Sequence, residues 1–317
     1  MAVERAVVTG GAGFIGSAVV EALARRGTSV LVVDDLTSGS TMNLNHVRGD
    51  VDLLKHDIRD ADPLRAAFAA FRPRVVFHLA ARTDVRASMS DPQHDASVNV
   101  LGSINVFAAA EHAGVQRVVN TSTGGAIYSP AAPVPTPETA PVAPLSAYGL
   151  GKRTVEEYAA WFRRASALDV VSLRYGNVYG PRQDPAGDAG VVAIFCQRLL
   201  AGHRPVIFGD GTQTRDFVYV GDVAAANLAA ADAPDLPHRI YNIGTGVEVS
   251  IRELLDAVTV ATGADPRTVS ALPAPSRPGE VYRSCLDVRR ALTELPLATP
   301  VSLAEGLRRT VEWIRSR

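Results

Sequence analysis

The chain has 317 residues, of which 47% are hydrophobic, and this is enough for one large domain or two joined domains with a full core. Its formal net charge of −1 gives no global basic field that would attract nucleic acid or anionic lipid. The two cysteines, Cys196 and Cys285, lie far apart without a CxxC pair or matching histidine spacing, which argues against a disulfide framework and against a bound metal. The sequence shows no signal-peptide pattern and no run of about 18 apolar residues, so we expect a cytoplasmic protein without a membrane span.

The first motif is a glycine-rich turn between a predicted strand and a predicted helix. Gly10, Gly13 and Gly16 permit a sharp turn, let a pyrophosphate approach bare N–H groups and let the helix pack tightly on its strand. A second apolar strand, 30–33, ends at Asp34, about 20 positions further on, where a dinucleotide-binding fold carries an acidic residue. A carboxylate at this place accepts hydrogen bonds from a ribose 2′-hydroxyl and repels a 2′-phosphate. The sequence therefore predicts a dinucleotide site that prefers NAD to NADP.

Residues after the next strands extend this predicted site. Asp35 begins a polar turn that offers donors near the ribose, although it is equally consistent with a solvated loop residue. Asp57 follows the third strand, where its carboxylate can hold the adenine amino group, and a helix N-cap at Asp57 or Asp60 is an equally good interpretation. His78 ends the fourth strand and is interpreted as a satisfied core residue, because a lone histidine on a buried strand is seldom a ligand. The small residues after it leave space beside the sheet for a flat ring.

Short apolar strands alternate with longer helical segments, which is the pattern of a parallel sheet covered on both faces. The predicted fold class is α/β, a Rossmann-type doubly wound parallel sheet with a smaller α/β substrate-binding domain. After the first two strands, further strands are predicted at 51–55, 74–79, 117–121, 170–174 and 240–243. Helices are predicted at 17–26, 63–71, 98–113 and 146–165. Six prolines between 130 and 144 exclude a regular helix or interior strand there and predict a stiff surface loop.

The chemistry is predicted where a hydroxyl-rich strand end meets the helix that starts at Ser146. Tyr148 and Lys152 lie one helical turn apart and face the same crevice if this helix packs on the sheet. A fixed positive charge within about 4 to 6 Å of a tyrosine favours the phenolate and lowers its pKa from about 10 toward the range of a general base. The Thr-Ser-Thr run at 121–123 projects hydroxyl groups toward the same crevice.

These motifs together resemble the extended short-chain dehydrogenase/reductase family, over nearly the whole chain. The similarity rests on the glycine triplet with Asp34, the hydroxyl run at 121–123, and Tyr148 with Lys152. Further matching segments are RYGNVYGPR at 174–182, TRDFVYV at 214–220 and RPGE at 277–280. Within the family the chain is most similar to the UDP-glucose (UDP-galactose) 4-epimerases. Members commonly dimerise through a helix bundle, so the resemblance implies a homodimer.

The resemblance also implies a role for each residue of the predicted crevice. Tyr148 removes the proton from the sugar 4-hydroxyl while C4 gives its hydride to NAD, and a 4-ketose results. Thr123, with Ser122 as the alternative, hydrogen-bonds the substrate oxygen and relays its proton. Lys152 binds the nicotinamide ribose and lowers the pKa of the tyrosine.

Two sets of binding residues follow from the same resemblance. The implied NAD contacts are Gly10, Gly13, Phe14, Ile15, Gly16, Asp34, Asp35, Ser38, Gly39, Asp57, Ile58, Leu79, Ala80, Ala81, Asn99, Thr121, Tyr148, Lys152, Tyr175 and Val178. The implied UDP-sugar contacts are Thr123, Tyr148, Asn177, Gly190, Val191, Val192, Val206, Phe208, Arg215, Arg277 and Ser284. The two arginines are expected to clamp the diphosphate. We predict an NAD-binding domain at 1–176, to which 217–243 returns, and a UDP-sugar-binding domain at 177–317.

The reaction type is predicted from Gly124 and Gly125, which stand where dehydratases and decarboxylases of the family usually carry acidic residues. Without a carboxylate as an extra acid and base, oxidation followed by return of hydride to the other face is the simplest chemistry. We therefore expect a UDP-hexose 4-epimerase, with a UDP-glucuronate 4-epimerase or another NAD-dependent nucleotide-sugar enzyme as the alternative. A catalytically silent NAD-sensing protein is the non-enzyme alternative, and the intact Tyr148 and Lys152 argue against it. By the same resemblance Ser284 lies beside the sugar C2 substituent, and its small side chain predicts that UDP-GlcNAc and UDP-GalNAc are also accepted.

Overall fold

The computed structural model describes residues 3–47, 49–166, 168–185, 190–276 and 281–317. The strands are β1 (Arg5–Thr9), β2 (Ser29–Asp34), β3 (Val51–Lys55), β4 (Val75–His78), β5 (Arg117–Thr123), β6 (Asp169–Tyr175), β7 (Asn177–Tyr179), β8 (Val206–Phe208), β9 (Thr214–Arg215), β10 (Phe217–Tyr219), β11 (Ile240–Ile243), β12 (Val249–Ser250) and β13 (Leu272–Ala274). The α-helices are α1 (Phe14–Arg25), α2 (Ala61–Phe71), α3 (Val85–Ser90), α4 (Pro92–Ala96), α5 (Gly102–His112), α6 (Ala147–Ala165), α7 (Val191–Leu200), α8 (Val220–Asp232), α9 (Ile251–Thr262), α10 (Arg289–Glu294) and α11 (Leu303–Arg315).

Seven of these strands form one sheet in the order β11, β6, β5, β4, β1, β2, β3. All neighbours in it are parallel, and Val8 of β1, for example, lies between Val32 of β2 and Phe77 of β4. The strand order reverses between β1 and β4, which is where doubly wound folds bind their ligands. The predicted Rossmann-type fold is confirmed, and β3 and β11 have the predicted bounds.

Both faces of the sheet are buried, because successive side chains of a strand point to opposite sides. Val7 and Val33 pack with α2, α5 and α6 on one face. Val8 and Val32 pack with α1 and α8 on the other face. This double burial explains why β1, β2 and β4 are nearly continuous apolar runs, whereas β3 at the edge of the sheet has no buried residue.

The second half of the chain forms three short strand pairs and then returns to the main sheet. Strand β7 pairs with β10 and β8 with β13 in parallel, while β9 pairs with β12 in antiparallel orientation. Helix α8 packs against α1, and β11 then pairs with β6 at the edge of the main sheet. The division into an NAD-binding and a UDP-sugar-binding domain stays a prediction.

The helix predicted at 98–113 differs from the prediction at its start. Residues Ser97–Leu101 form a π-helical turn, and the regular α-helix begins only at Gly102. A Cβ added to Gly102 would lie 2.6 Å from Ile58 Cδ1, and Asn99 Nδ2 donates to Arg82 O at 3.0 Å. These tertiary contacts have no counterpart in the local sequence pattern, so the pattern could not predict the wider turn.

The described segments lack two kinds of feature. Among their residues, no helix is both long enough and apolar enough to cross a bilayer. Within the same segments, no group of His, Cys, Asp and Glu side chains is arranged to hold a metal ion. Cys196 and Cys285 are both buried free thiols.

Candidate active site

The glycine turn between β1 and α1 brings bare backbone to the strand-order reversal. Gly10 has a φ of +70°, and a Cβ added to it would lie 2.6 Å from Ala80 N. A Cβ on Gly16 would lie 2.0 Å from Gly10 O, so neither position tolerates a side chain. Gly13 is the N-cap of α1, whose first turn contains no acidic residue. The unpaired N–H groups of this helix start therefore fit the pyrophosphate of a dinucleotide.

Asp34 ends β2 beside the glycine turn and is 6% exposed. Its Oδ2 accepts from Ala12 N at 2.9 Å and its Oδ1 accepts from Leu36 N at 2.9 Å. Burial raises the pKa of Asp34, and these two N–H groups oppose the rise by favouring the carboxylate. Each oxygen retains a lone pair that can accept from a ribose hydroxyl. The residue fits the role predicted for it.

The end of β4 lies against the glycine turn, since Leu79 N donates to Thr9 O at 3.0 Å. His78 is buried one residue earlier, with Nδ1 2.7 Å from Thr9 Oγ1 and Nε2 2.8 Å from Ser103 Oγ. Burial lowers the pKa of His78 to about 3, so its ring is neutral. The interpretation of His78 as a satisfied core residue is confirmed.

Asn99 and Asp95 brace the loop that follows β4. Asn99 Oδ1 accepts from Arg82 N at 2.8 Å, while its Nδ2 donates to Arg82 O and to Asp95 Oδ1, each at 3.0 Å. Asp95 is 1% exposed and faces α6, where a Cβ on Gly151 would lie 3.4 Å from Asp95 Oδ2. The sequence reasoning missed Asp95, whose only signal was its spacing of four residues from Asn99. The side chain of Asn99 is used within the protein, and its contact with NAD stays a prediction.

Helix α6 is aimed into the crevice by hydrogen bonds at its start. Ser146 is its N-cap, and the Ser146 Oγ accepts from Gly149 N at 3.1 Å. Tyr148 N donates to Ser88 Oγ at 3.1 Å, which ties the first turn to α3. A Cβ on Gly149 would lie 2.2 Å from Ala126 O, so the helix touches the loop after β5 directly.

Three of the predicted catalytic residues meet at this point. The hydroxyl of Thr123 lies near the phenol of Tyr148 and acts to lower its pKa. Lys152 is 5% exposed, and its Nζ donates to Thr121 O at 3.0 Å. The same Nζ lies 6.0 Å from the centroid of the Tyr148 ring.

The pKa values of this group differ from the expectation. Burial raises the pKa of Tyr148 to about 12, the Thr123 hydroxyl opposes the rise, and the Asp95 carboxylate adds to it. Burial also lowers the pKa of Lys152 to about 8, against the pull of Asp95 and Glu156. The expected lowering of the Tyr148 pKa by Lys152 is therefore not seen in the chain alone, because burial outweighs an ammonium group that is turned toward a carbonyl. A further positive charge beside the phenol is needed for a base at neutral pH, and an oxidised nicotinamide ring carries one.

Ser122 points away from the crevice because side chains alternate along β5. It is 2% exposed, and its Oγ donates to Glu156 Oε1 at 2.7 Å. Glu156 in turn accepts from Arg174 Nε at 2.8 Å and from Arg174 Nη2 at 2.6 Å. This buried ion pair was missed from sequence. The sequence left open whether Thr123 or Ser122 relays the proton, and of the two it is Thr123 whose hydroxyl lies in the crevice.

Several predicted substrate contacts come together around β9. Ser284 N donates to Thr214 O at 3.2 Å, which places Ser284 beside the strand that carries Arg215. Asn177 N donates to Asp216 O at 2.7 Å, directly after that strand. The chain therefore brings three predicted contacts, Asn177, Arg215 and Ser284, to one place.

Other predicted substrate contacts are less accessible or lie elsewhere. Gly190 is the N-cap of α7. Val192 is 0% exposed in the core, so its side chain cannot touch a ligand. Val206 and Phe208 are half-buried in β8. Arg277 lies outside the described residues.

The profile of the NAD dependent epimerase/dehydratase family matches residues 6–244. This chain belongs to that family. A UDP-glucose 4-epimerase of Mycolicibacterium smegmatis is 45% identical to it over 315 residues, which cover 99% of each chain. The structure of a UDP-glucose 4-epimerase from Thermotoga maritima with UDP-glucose has a TM-score of 0.93 and 43% identity, covering 98% of this chain and 99% of that one. A Thermus thermophilus UDP-glucose 4-epimerase in complex with NAD has a TM-score of 0.89 and 43% identity, with the same coverage.

Some residues that are predicted to contact NAD use their side chains for hydrogen bonds within the protein. Asp57 accepts from Arg59 Nη2 at 2.6 Å and from Arg59 N at 2.8 Å. Asp60 occupies the N-cap position of α2, but its side chain makes no capping hydrogen bond to any described residue. The exposed Asp35 accepts from Thr37 N at 2.9 Å, as in an ordinary polar turn. Their contacts with NAD stay predictions.

Two further predicted NAD contacts are core residues. Ile58 is 5% exposed and packs beside Gly102 at the start of α5. Tyr175 is 4% exposed, and its phenol accepts from Asn227 Nδ2 at 2.7 Å and lies 3.3 Å from Thr121 Oγ1. Both residues are therefore largely buried, and their contacts with NAD stay predictions.

Proposed function

We propose that this protein is an NAD-dependent UDP-hexose 4-epimerase that interconverts UDP-glucose and UDP-galactose through a transient 4-keto sugar. The single observation that carries the proposal is the meeting of Thr123, Tyr148 and Lys152 at the strand-order reversal, next to a dinucleotide cradle that ends in Asp34. Gly124 and Gly125 leave this place without the carboxylates that an elimination needs. The close similarity to UDP-glucose 4-epimerases over the full chain supports the same reaction.

Each residue of the site has a separate role in the proposed reaction. When bound, NAD supplies reversible two-electron oxidation and reduction at the sugar C4. Tyr148 accepts the proton of the 4-hydroxyl and later returns it, with Thr123 holding the same oxygen by a hydrogen bond. Lys152 fixes the nicotinamide ribose and keeps positive charge near the phenolate. Arg215 and Arg277 bind the diphosphate.

A panel of nucleotide sugars tests the proposal. The purified protein is incubated with UDP-glucose, UDP-galactose, UDP-glucuronate and dTDP-glucose, and the products are resolved by chromatography. We expect conversion between the first two, at an equilibrium reached from either side. Conversion of UDP-glucuronate alone, or formation of a dehydrated sugar from dTDP-glucose, contradicts the proposal.

Ser284 extends the proposal to substrate range. Its side chain is small and half-buried, and the chain around it lies against β9. An N-acetyl group is several heavy atoms larger than a hydroxyl and needs space at the pocket wall. We expect interconversion of UDP-GlcNAc and UDP-GalNAc as well, with Ser284→Tyr slowing this pair selectively. Equal slowing of both pairs of sugars contradicts the assignment of Ser284 to the wall.

We further propose a homodimer through α6. Leu150, Tyr158 and Trp161 are exposed by 58%, 38% and 50%, and their spacing places them on one face of the helix. Leu101, at the start of α5, is exposed by 58%. A second copy of the chain can bury this apolar face. Sedimentation should give a dimer for the natural protein and a monomer for Trp161→Glu, and a monomer for both contradicts the proposal.

The buried free thiols of Cys196 and Cys285 fit a reducing compartment, and we place the enzyme in the cytoplasm. The near-neutral charge offers no basis for a nucleic-acid partner.

A further inference from the structure

We propose that Leu286 is a positioning residue for the reaction: held in place by Asp216, its side chain packs against Gly124 and fixes the loop that begins directly after Thr123, the last residue of β5. This inference rests on the proposed function, because it names the residues that place the hydroxyl of Thr123. Leu286 is 1% exposed and belongs to the half of the chain that we assign to the sugar nucleotide.

The contact between Gly124 and Leu286 leaves no space for a side chain. A Cβ added to Gly124 would lie 2.6 Å from Leu286 Cδ1 and 2.7 Å from Leu286 Cδ2. Ordinary van der Waals contact begins at 3.4 Å, so one of the two partners must move by about 1 Å. Gly124 N also donates to Tyr175 O at 2.7 Å, which joins the loop to β6.

The backbone of Leu286 is held on two sides and cannot withdraw. Leu286 N donates to Asp216 Oδ2 at 3.2 Å. On the other side, Thr136 N donates to Cys285 O at 2.8 Å, and Asp287 N donates to Thr136 O at 2.9 Å. Because the Leu286 backbone is held and its side chain is 1% exposed, we expect a larger residue at position 124 to displace the loop that follows Thr123.

Asp216 is itself fixed and links two parts of the site. It is 1% exposed, and its Oδ1 accepts from Thr245 N at 2.8 Å and from Thr245 Oγ1 at 2.6 Å. Its Oδ2 accepts from Gly246 N at 3.2 Å, and its main-chain oxygen accepts from Asn177 N at 2.7 Å. Asp216 therefore holds Leu286 through its side chain and Asn177 through its main-chain oxygen. It also directly follows Arg215 in the chain.

The loop after Thr123 is also confined from the other side, by the helix of Tyr148. A Cβ on Gly149 would lie 2.2 Å from Ala126 O. The loop is therefore held between Leu286 and α6, and both contacts act on the position of Thr123 relative to Tyr148.

A double-mutant cycle in kcat tests the proposal. Gly124→Ala should lower kcat by about 10- to 100-fold, because a displacement of about 1 Å at the reacting groups has this effect. In Gly124→Ala/Leu286→Ala the space is restored, and kcat should be at least about tenfold higher than in Gly124→Ala alone. The KM for UDP-galactose and the affinity for UDP should change by less than about threefold throughout, since no nucleotide contact is altered.

Gly125→Ala is the matched comparison. A Cβ on Gly125 would have Asn177 Oδ1, at 4.0 Å, as its nearest protein atom. Leu286→Ala should lower kcat by the same factor in the Gly125→Ala variant as in the natural protein, so the coupling between Gly125 and Leu286 is near zero. Rescue of Gly124→Ala without rescue of Gly125→Ala is the expected pattern.

The pH profile separates positioning from a general loss of structure. Tyr148 is faced by Thr123, by Asp95 and by Lys152. Because the Thr123 hydroxyl acts to lower the Tyr148 pKa, displacing Thr123 should move the tyrosine limb of kcat/KM to higher pH, and the double variant should move it back.

Three results overturn the proposal while leaving the proposed function intact, provided that the natural protein epimerises UDP-galactose. They are a Gly124→Ala variant with kcat within about twofold of the natural protein, losses that simply multiply in the double variant, and an unchanged tyrosine limb. If Gly124→Ala does not fold, Leu286→Ala decides alone, since removing a side chain needs no space. It should lower kcat without changing the affinity for UDP, and an unchanged kcat overturns the proposal.

Discussion

The phenol of Tyr148 carries the proton transfer in this account. Replacing it by Tyr148→Phe removes the hydroxyl and leaves the ring to pack, so bound NAD should be retained. A general base contributes about 10²- to 10⁴-fold, and we expect a loss of this size in kcat. Epimerisation is measured together with the NAD content of the purified variant. A variant with more than about a tenth of the natural rate places the base elsewhere.

Thr123 and Ser122 are adjacent hydroxyl residues with different surroundings. Thr123 lies near the phenol and acts to lower its pKa, whereas Ser122 donates to the buried carboxylate of Glu156. Thr123→Ala should therefore lower kcat more than Ser122→Ala. Ser122→Ala should act mainly on stability, by about 1 to 3 kcal/mol, because it leaves a buried carboxylate oxygen with one donor fewer. Rates and urea unfolding of both variants are the measurements, and the reverse ranking in kcat moves the relay to Ser122.

The sequence identified most of these side chains but not their surroundings. The spacing of Tyr148 and Lys152 and the hydroxyl run of β5 were visible. The choice between Thr123 and Ser122 needed the alternation of β5, and the pKa of Tyr148 needed its burial. Asp95, which acts on Lys152, lies 57 residues before it in the chain and is brought to it only by the tertiary fold, whereas Glu156 lies four residues after it on the same helix.

Strand β4 ends at His78, a titratable residue that is buried in the sheet. The Ser103 hydroxyl donates to Asn99 O at 2.6 Å, so it accepts from His78 Nε2, and His78 Nδ1 accepts from Thr9 Oγ1. A second proton would have to bind Nδ1 of this neutral tautomer and would break its hydrogen bond with Thr9 Oγ1.

The buried histidine makes the fold sensitive to acid. Its pKa falls from 6.5 when unfolded to about 3 when folded, so the unfolded chain binds the proton first. Stability from this group is complete above pH 6.5 and is lost as pH falls from there toward 3, by about 1.4 kcal/mol per pH unit. Urea unfolding between pH 7 and 4.5 should show a shallower pH slope for His78→Gln than for the natural protein. Equal slopes would show that His78 stays unprotonated in both states or titrates alike in both.

The regular elements were predictable because their causes are local, whereas the irregular ones were not. Double burial makes the central part of β1, β2 and β4 an apolar run, and Ser146 marks the start of α6. The π-helical turn at 97–101 depends on contacts of Asn99 and Gly102 with distant residues. The loop of Gly124 likewise depends on Leu286, more than 150 residues further along the chain.

The order of strands places the predicted cofactor site beside the region that we propose for the sugar nucleotide. The glycine turn, Asp34 and the end of β4 surround the reversal between β1 and β4. The chain then leaves the main sheet, builds the region of Arg215 and Ser284, and returns through α8 and β11. The alternation of strands and helices predicted this fold, but the mutual placement of Asp216, Leu286 and Gly124 arises only when both halves pack.

The central claim is that bound NAD is reused at every turnover, and a cofactor balance tests it most directly. The protein is purified without added cofactor, its NAD content is measured after denaturation, and UDP-galactose is then converted with no NAD in the buffer. We expect close to one NAD per chain, many turnovers to UDP-glucose, and no net NADH in solution. Stoichiometric release of NADH during the reaction, or a preference for NADP despite Asp34, would contradict the account.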